Sequence, residues 1–341
     1  MTDQENTVPQ GLLRGGVRRG LGTKARSIAV MVTCAVGLQT VLILLSRFHP
    51  LLELANHLAL HGLVVASLSL VVLFFQSPRN RMVLFGLMLS WCYLLFLVQP
   101  WSLYMRSPPA VAEDAANSIT VLSWNVLAVN SSYTEIDRVI QQADADVVVL
   151  IETQPNLLEQ LPYLTSNYPI SHKVLDWGGS GICLFSKVAG TEIQLEPFGC
   201  PRQPALIASI PGKPSRDDQG RTIQLVGLHT LSPIPIRRTK LRDRQLAALR
   251  RWAAEQTGPV CVCGDLNTTP WTHSFWQLEQ AGFVDSRLGV GNLATWPSFF
   301  GYCGIPIDHA LTLGACQISE RHVLPTAPGS DHRPIRFRLH F

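Results

Sequence analysis

Apolar positions along the chain follow two regimes. Up to about residue 100 they run in long unbroken stretches; beyond residue 118 they come in short bursts separated by polar turns. Three of the long stretches, at 28–45, about 58–75 and about 82–98, each approach the roughly 17–25 residues an α-helix needs to cross a bilayer. The second and third are joined by 76–81, a short link containing Pro78, which favours a transmembrane hairpin over a buried core hairpin. A cleaved signal peptide is the competing reading of the first stretch, which follows Arg14, Arg18, Arg19, Lys24 and Arg26. That stretch is long for such a segment and has no clear small-residue cleavage site. Three transmembrane helices are therefore expected.

After residue 118 the pattern reads as alternating strands and helices. Residues 119–124 have strand character, 132–143 look helical, and 146–151 form a continuous apolar run suited to a buried strand. Further strands are expected at 181–186, 206–210, 222–229, 260–263, 307–313 and 335–339, with the best helix at 241–255. Strands outnumber helices, so the expectation is an α/β architecture of packed sheets flanked by helices. The organisation predicted is a basic arm (1–27), three transmembrane helices (28–99), a tether with Pro108 and Pro109 (100–117), and a folded domain (118–341).

Composition supports this division. Of 341 residues, 47% are hydrophobic and only 15% charged, against about 25% charged in an average soluble protein, which excludes a disordered chain and fits a membrane protein. Residues 1–116 hold 9 Lys+Arg and 5 Asp+Glu, whereas the remainder holds 19 of each. The net charge of +4 thus belongs to the first third, and the folded domain lacks the positive field of a dedicated DNA binder. Basic residues crowd the arm and recur at Arg79 and Arg81, while the first loop has only Arg47 and the third stretch is followed by Arg106. The positive-inside rule then puts the N-terminus in the cytoplasm and the folded domain outside it, in a plasma or bacterial inner membrane.

The eight cysteines form no CxxC pair. Cys261 and Cys263 share one face of an expected strand as buried thiols, and Cys183, Cys200, Cys303 and Cys316 are disulfide candidates with no spacing to choose among pairings.

Polar residues capable of chemistry collect where apolar strands end: Trp124-Asn125, Glu152, His229, Gly264-Asp265-Leu266-Asn267, Ile307-Asp308-His309 and Ser330-Asp331-His332-Arg333-Pro334. Each alone is an ordinary turn or cap residue. Six such landmarks are different, because a sheet places its strand ends along one rim. In this order, with Gly181 to Lys187 in support, they resemble the endonuclease/exonuclease/phosphatase superfamily, the DNase I-like metal-dependent phosphoesterases, over about 118–341. Glu152 is preceded by Ile151 where many members have Gln.

The resemblance implies a four-layer α/β sandwich (DNase I-like) after an all-α transmembrane region, and hydrolysis of a phosphate ester with Mg²⁺ or Mn²⁺. It implies Asn125, Glu152 and Asp331 as metal ligands, oxygen donors of the kind Mg²⁺ prefers. Asp265 would orient the attacking water, Asn267 would position water and phosphate, and His332 would contact phosphate while oriented by Asp308. His229 would contact phosphate or act in acid/base catalysis. His309 alternates away from Asp308 and reads as structural. His172, His273 and His322 read as surface residues. Residues 178–181 lack the P-loop ending and read as a turn into a strand. The basic run Arg237, Arg238, Lys240, Arg242, Arg244, Arg250 and Arg251 is either a solvated helix face or a patch for anionic substrate or lipid headgroups.

The leading expectation is a membrane-anchored phosphoesterase acting outside the cytoplasm on a phospholipid or lipid-linked phosphate, with the bilayer as its partner. An extracytoplasmic endo- or exonuclease is the alternative, with nucleic acid as substrate and the Arg237 to Arg251 region as its only groove material. An inactive membrane-anchored binding or scaffold protein is weaker, because a scaffold needs none of the polar landmarks.

Overall fold

A computed structural model describes residues 10–75, 81–106, 117–212 and 221–341, with side chains except those of 10–26, Ala29 and Phe75. The chain divides into two units, Met1–Val98 and Gln99–Phe341. In the first, helices Gln10–Leu45, Ala59–Phe75 and Arg81–Val98 pack on one another. The packing is tied by polar contacts: Gln39 Nε2 donates to the Leu58 carbonyl at 2.9 Å, and Trp91 Nε1 to Ser67 Oγ at 2.9 Å.

All three expected apolar stretches are helical. Two segments, Val30–Phe48 and Arg81–Tyr104, are long and apolar enough to cross a membrane; Ala59–Phe74 is apolar but shorter. Much of the large apolar surface points outward, including Met31, Leu38, Phe74, Met82, Phe85 and Phe96. Residues 1–9, the arm's basic side chains up to position 26, Arg79 in its loop, and 107–116 of the expected tether lie outside the described residues. Pro100–Tyr104, at the start of that tether, is a short helix belonging to the second unit: the Ser102 carbonyl accepts from Gly289 N at 3.0 Å and Tyr104 Oη from Asn292 N at 3.3 Å.

Among its described residues the second unit contains twelve strands: β1 (Ser118–Asn125), β2 (Val147–Ile151), β3 (Ile170–Val174), β4 (Ile182–Ser186), β5 (Glu192–Glu196), β6 (Ala205–Pro211), β7 (Thr222–Gly227), β8 (Val260–Asp265), β9 (Val284–Asp285), β10 (Asp308–Leu313), β11 (Gln317–Val323) and β12 (Ile335–His340). They form two mixed six-stranded sheets, ordered β11-β12-β1-β2-β4-β3 and β5-β6-β7-β8-β10-β9.

Strand alternation builds the layers. Val147, Val149 and Ile151 face Leu206, Leu225, Cys261 and Cys263 between the sheets, whereas Val148 and Leu150 turn outward onto Ile136 and Ile140 of helix Tyr133–Ala143. On the far side, Val226, Val260 and Val262 pack on Leu246 and Leu249 of helix Arg237–Ala254 and on Phe275 of helix His273–Gln280. Helices therefore cover both outer faces of the paired sheets. Cys261 and Cys263 sit in the inter-sheet core, and no disulfide links any of the described cysteines.

One buried ionic network lies beside the core. Arg287 contacts Asp285 through Nη2 (2.6 Å) and Nε (2.9 Å), and Arg321 Nη1 stands 3.7 Å from the other carboxylate oxygen. Burial opposes the charge on Asp285, but the two guanidinium groups outweigh it and hold the carboxyl down to about 2. A folded value below the ordinary carboxylate range makes this contribution complete above about pH 4 and removes it as pH falls toward about 2. Asp285→Ala strands two buried cations and is expected to cost about 3–5 kcal/mol. Thermal unfolding of the full-length variant in detergent checks it; an unchanged midpoint counts against the network.

Candidate active site

The candidate site side chains converge because strands deliver them to one end of the sandwich. β1 and β2 run parallel with Asn125 beside Ile151, so Asn125 and the next residue, Glu152, leave their sheet together. In the other sheet β7 and β8 are parallel, and β10 is antiparallel to β8 with Asp308 directly opposite Asp265.

Local backbone geometry fixes the details. Glu152 sits in the left-handed region at φ 62°, uncommon for a side-chain-bearing residue, where its N–H donates to the Gly181 carbonyl at 2.7 Å. A Cβ on Gly181 would collide with the Thr153 carbonyl oxygen, which explains the glycine at the entrance to β4. Gly264, at φ 136°, lies so close to the Leu228 carbonyl that a side chain is equally excluded just before Asp265.

Asn125 joins the two sheets. Its Nδ2 donates to Glu152 Oε1 at 2.9 Å and to Asp265 Oδ2 at 3.1 Å, while its Oδ1 accepts from Leu127 N at 3.1 Å. Glu152 Oε2 accepts from Ala128 N at 3.1 Å. Asp265 Oδ1 accepts from Asn267 N at 2.9 Å, and Oδ2 faces His229 Nε2 at 3.8 Å and His332 Nε2 at 3.7 Å, ion-pair separations beyond hydrogen-bond range. His332 Nδ1 is hydrogen-bonded to Asp308 Oδ2 at 2.9 Å. Asn267 is farther back: its Nδ2 donates to the Thr230 carbonyl at 2.9 Å and its own carbonyl accepts from Arg242 Nη1 at 3.0 Å.

Protonation follows from these surroundings. Burial works against charge on His332, yet the Asp308 and Asp265 carboxylates outweigh it and raise the imidazolium to about 10. Burial opposes charge on Asp308, but the positive charge of His332, and then its hydrogen bond, outweigh it and hold the carboxyl below the ordinary range. Asp265 moves the other way, raised by burial and by the Asp308 charge. Burial, reinforced by cationic His332, pushes His229 down to about 3 and so keeps it neutral; its Nδ1 is buried with no hydrogen-bond partner. His309 points away, with Nε2 2.8 Å from the Thr268 carbonyl and its ring against Phe275.

Several positions that support the site carry weaker signals in sequence. Ser330 Oγ donates to the Asn125 carbonyl at 2.7 Å and accepts from His332 N at 3.0 Å, so it ties the last loop to the first strand. Trp124 Nε1 donates to the His332 carbonyl at 2.9 Å. Trp296 Nε1 donates to Asp331 Oδ2 at 2.9 Å, and Thr295 Oγ1 accepts from Asp308 N at 3.2 Å. Ser330 and Trp124 lie inside recognisable motifs; Trp296 and Thr295 sit in a loop whose sequence has no periodicity to betray them.

The donor set suits a hard divalent cation. Glu152, Asp265, Asp308 and Asp331 bring four carboxylates together, and among the described residues only His332 and His229 form ion pairs with them. With His229 neutral, the His332 imidazolium is the one cation within ion-pair distance of these four carboxyl groups among the described residues. Asp331 Oδ1 is moreover buried without a hydrogen-bond partner, 4.0 Å from His332 Nε2. Asp265, Asp308 and His332 can bring ligand atoms within 4.8 Å of one another. Asp308 is already engaged by His332, which leaves the oxygens of Glu152, Asp265 and Asp331 as the hard donors.

Two packed six-stranded sheets with a buried carboxylate and histidine cluster at one set of strand ends define an α/β sandwich with a candidate metal site at its rim. The Endonuclease/Exonuclease/phosphatase family model matches residues 122–332, and the chain belongs to that family, whose members are metal-dependent phosphoesterases. It is 26% identical over 248 residues to a UPF0294 protein of Vibrio cholerae, covering 69% of this chain and 83% of the relative. The fold is similar to that of D. rerio TDP2 humanized by 14 mutations (TM-score 0.55, 18% identity, 66% of this chain and 99% of that one). It is also similar to D. rerio TDP2 complexed with a single-strand DNA product (TM-score 0.52, 16% identity, 66% of this chain and 100% of that one).

Proposed function

We propose that the protein is a membrane-anchored, Mg²⁺- or Mn²⁺-dependent phosphoesterase that hydrolyses the phosphate ester of a phospholipid or lipid-linked substrate on the extracytoplasmic side. The observation that carries this reading is the pairing, in one chain, of the carboxylate and histidine site with helices that leave Met31, Phe74, Met82, Phe85 and Phe96 exposed. A core helix of a soluble protein buries such side chains; a bilayer receives them.

The residues divide the work as follows. Glu152, Asp331 and Asn125 would hold the cation, Asn125 after rotation of its amide, since its nitrogen now faces the carboxylates. The cation supplies neutralisation of charge developing on the phosphoryl group. Asp265, with a raised proton affinity and one oxygen fixed by Asn267 N, orients the attacking water and accepts its proton on Oδ2. His332, charged and locked by Asp308, directs Nε2–H at a phosphate oxygen. Neutral His229 contributes a ring N–H or lone pair to the same oxygens or to the leaving group. Asn267 holds the loop that carries Asp265's backbone donor.

The deciding experiment is a product assay of the purified full-length protein with Mg²⁺ or Mn²⁺ against DNA, a phosphodiester lipid and a lipid pyrophosphate. Turnover of either lipid alone supports the proposal. Exclusive cleavage of DNA would replace it with the nuclease reading, which the single-strand DNA product bound to D. rerio TDP2 and the basic helix Arg237–Ala254 favour.

Topology is tested separately. A cysteine introduced at exposed Ser166 is expected to react with a membrane-impermeant thiol reagent in intact cells or spheroplasts, and one at Asn80, between the second and third apolar stretches, is not. The reverse labelling would put the site in the cytoplasm, within reach of soluble nucleotides.

A further inference from the structure

Large apolar side chains are unevenly exposed over the second unit: apart from Tyr104 (61%) and Met105 (82%), which follow the third apolar helix, they concentrate in a few loops. Among the described residues between 117 and 341, those more than half exposed are Val129 (82%), Trp177 (64%), Ile234 (65%), Phe299 (76%), Phe300 (59%) and Tyr302 (86%). Elsewhere in that range the most exposed is Trp276 at 49%. Single exposed apolar residues are ordinary, but a concentration at one place marks an interaction surface.

All six lie on loops that leave the strand ends bearing the site. Val129 follows Ala128, whose N–H donates to Glu152. Trp177 lies on the β3–β4 loop, where the neighbouring Gly179 stands against Glu152 and Ala128, and its carbonyl accepts from Gln154 Nε2. Ile234 is on the segment between His229 and helix Arg237–Ala254. Phe299, Phe300 and Tyr302 form a short helical segment, Ser298–Cys303, pinned by Ser298 N donating to the Asp331 carbonyl at 2.7 Å. Four separate loops at the site end of the sandwich thus each expose apolar or aromatic side chains, which together form an apolar rim.

Charge identifies what covers the ring. Beside Ile234, the exposed Arg237, Arg238, Lys240 and Arg244 on the first two turns of the helix make no ion pair among the described residues. Aromatic rings flanked by free cations suit the interface of a bilayer containing anionic lipids. Single-stranded nucleic acid stacks on aromatic rings, but Val129 and Ile234 offer no stacking face, and residues 117–341 carry equal numbers of acidic and basic side chains.

We propose that this rim docks on a phospholipid surface, site downward, with the six side chains at the boundary of headgroups and acyl chains and the basic helix end over anionic headgroups. This deepens the lipid-phosphate reading above and rests on it for the choice of surface. Docking brings a headgroup phosphate to the site without extracting the lipid, so the aromatic rim is a positioning device and takes no part in the chemistry.

The test uses full-length protein, with Cys34, Cys92, Cys200 and Cys303 replaced by serine, reconstituted in phosphatidylcholine vesicles with or without phosphatidylglycerol. Phe300→Cys, Ile234→Cys and, as a control, Val284→Cys, an exposed position whose register partner Thr312 pairs with Cys261 at the opposite end of the sheet from Asp308 and Asp265, are labelled with an environment-sensitive fluorophore and exposed to acyl-brominated lipids. The expected result is loss of more than about half the emission at positions 300 and 234, none at 284, and a smaller loss without phosphatidylglycerol or in Arg237→Glu/Arg238→Glu. Equal quenching at all three positions, no quenching at the rim, or rim shielding only on addition of a single-stranded oligonucleotide or at higher protein density would overturn it. No ester is turned over in this measurement. Docking without lipid hydrolysis therefore counts against the substrate, and lipid hydrolysis without docking counts against the rim.

Discussion

Asp265→Asn is expected to lower kcat by roughly 10²–10⁴-fold with little change in KM, because it removes the proton acceptor while keeping the shape of the side chain. The structure explains why an amide is a poor replacement. Oδ2 of Asp265 is the point toward which Asn125 Nδ2, His229 Nε2 and His332 Nε2 all turn, at 3.1, 3.8 and 3.7 Å. An amide nitrogen there would face donors and could accept no proton from water. Glu152→Gln is expected to behave differently: its carboxylate touches Asn125 and Ala128 N but neither histidine, so the loss should appear as a higher Mg²⁺ or Mn²⁺ requirement, partly recovered at high metal. Steady-state kinetics across a metal titration separates the two. Full activity of the Asp265 variant would remove it from the chemistry, and identical metal curves for Glu152→Gln and the parent would remove Glu152 from the cation site.

The contrast between what could and could not be read from sequence has a physical basis. Strands β1, β2, β4, β6, β7, β8, β10 and β12 are interior to their sheets, and their apolar runs announce them. The four that sequence reasoning did not predict, β3, β5, β9 and β11, are the four sheet edges. An edge strand buries one face at most. Accordingly Ile-Ser-His-Lys-Val in β3 and Glu-Ile-Gln-Leu-Glu in β5 carry only two apolar residues each, too short a signal to distinguish them from loop. Helix Arg237–Ala254 begins four residues before the expected position 241, because its first turn is basic rather than apolar.

Site residues were legible for the opposite reason. Asn125, Glu152, Asp265 and Asp308 interrupt otherwise apolar strands at their ends, so both their chemistry and their common rim follow from the pattern. The supports supplied by Thr295 and Trp296 come from a loop held by one isolated bridge between Trp296 and Ile305, and only folding brings them to Asp308 and Asp331.

His332→Ala is expected to cost roughly 10²–10³-fold in kcat/KM, the scale of losing one charged donor aimed at a reacting oxyanion. Asp308→Ala should follow in the same direction, and the double variant should be little worse than the worse single one, because Asp308 acts only through the imidazole it holds at 2.9 Å. A pH profile distinguishes this coupling from mere structural damage. In the parent, carboxylates outweigh burial and hold His332 protonated to about 10, so activity that needs the imidazolium extends into the alkaline range and falls as pH rises through that value. Asp308→Asn keeps a side chain able to accept from Nδ1 but removes its charge. Burial then works against the imidazolium with only Asp265 and Asp331 opposing it, and the alkaline limb must move to lower pH. A structural defect would lower the whole profile without moving the limb, and additive losses in the double variant would show that the two residues act separately. His309, one residue from Asp308 and equally buried, provides the control: its ring meets Thr268 and Phe275, so His309→Ala should lower stability while leaving the position of that limb unchanged.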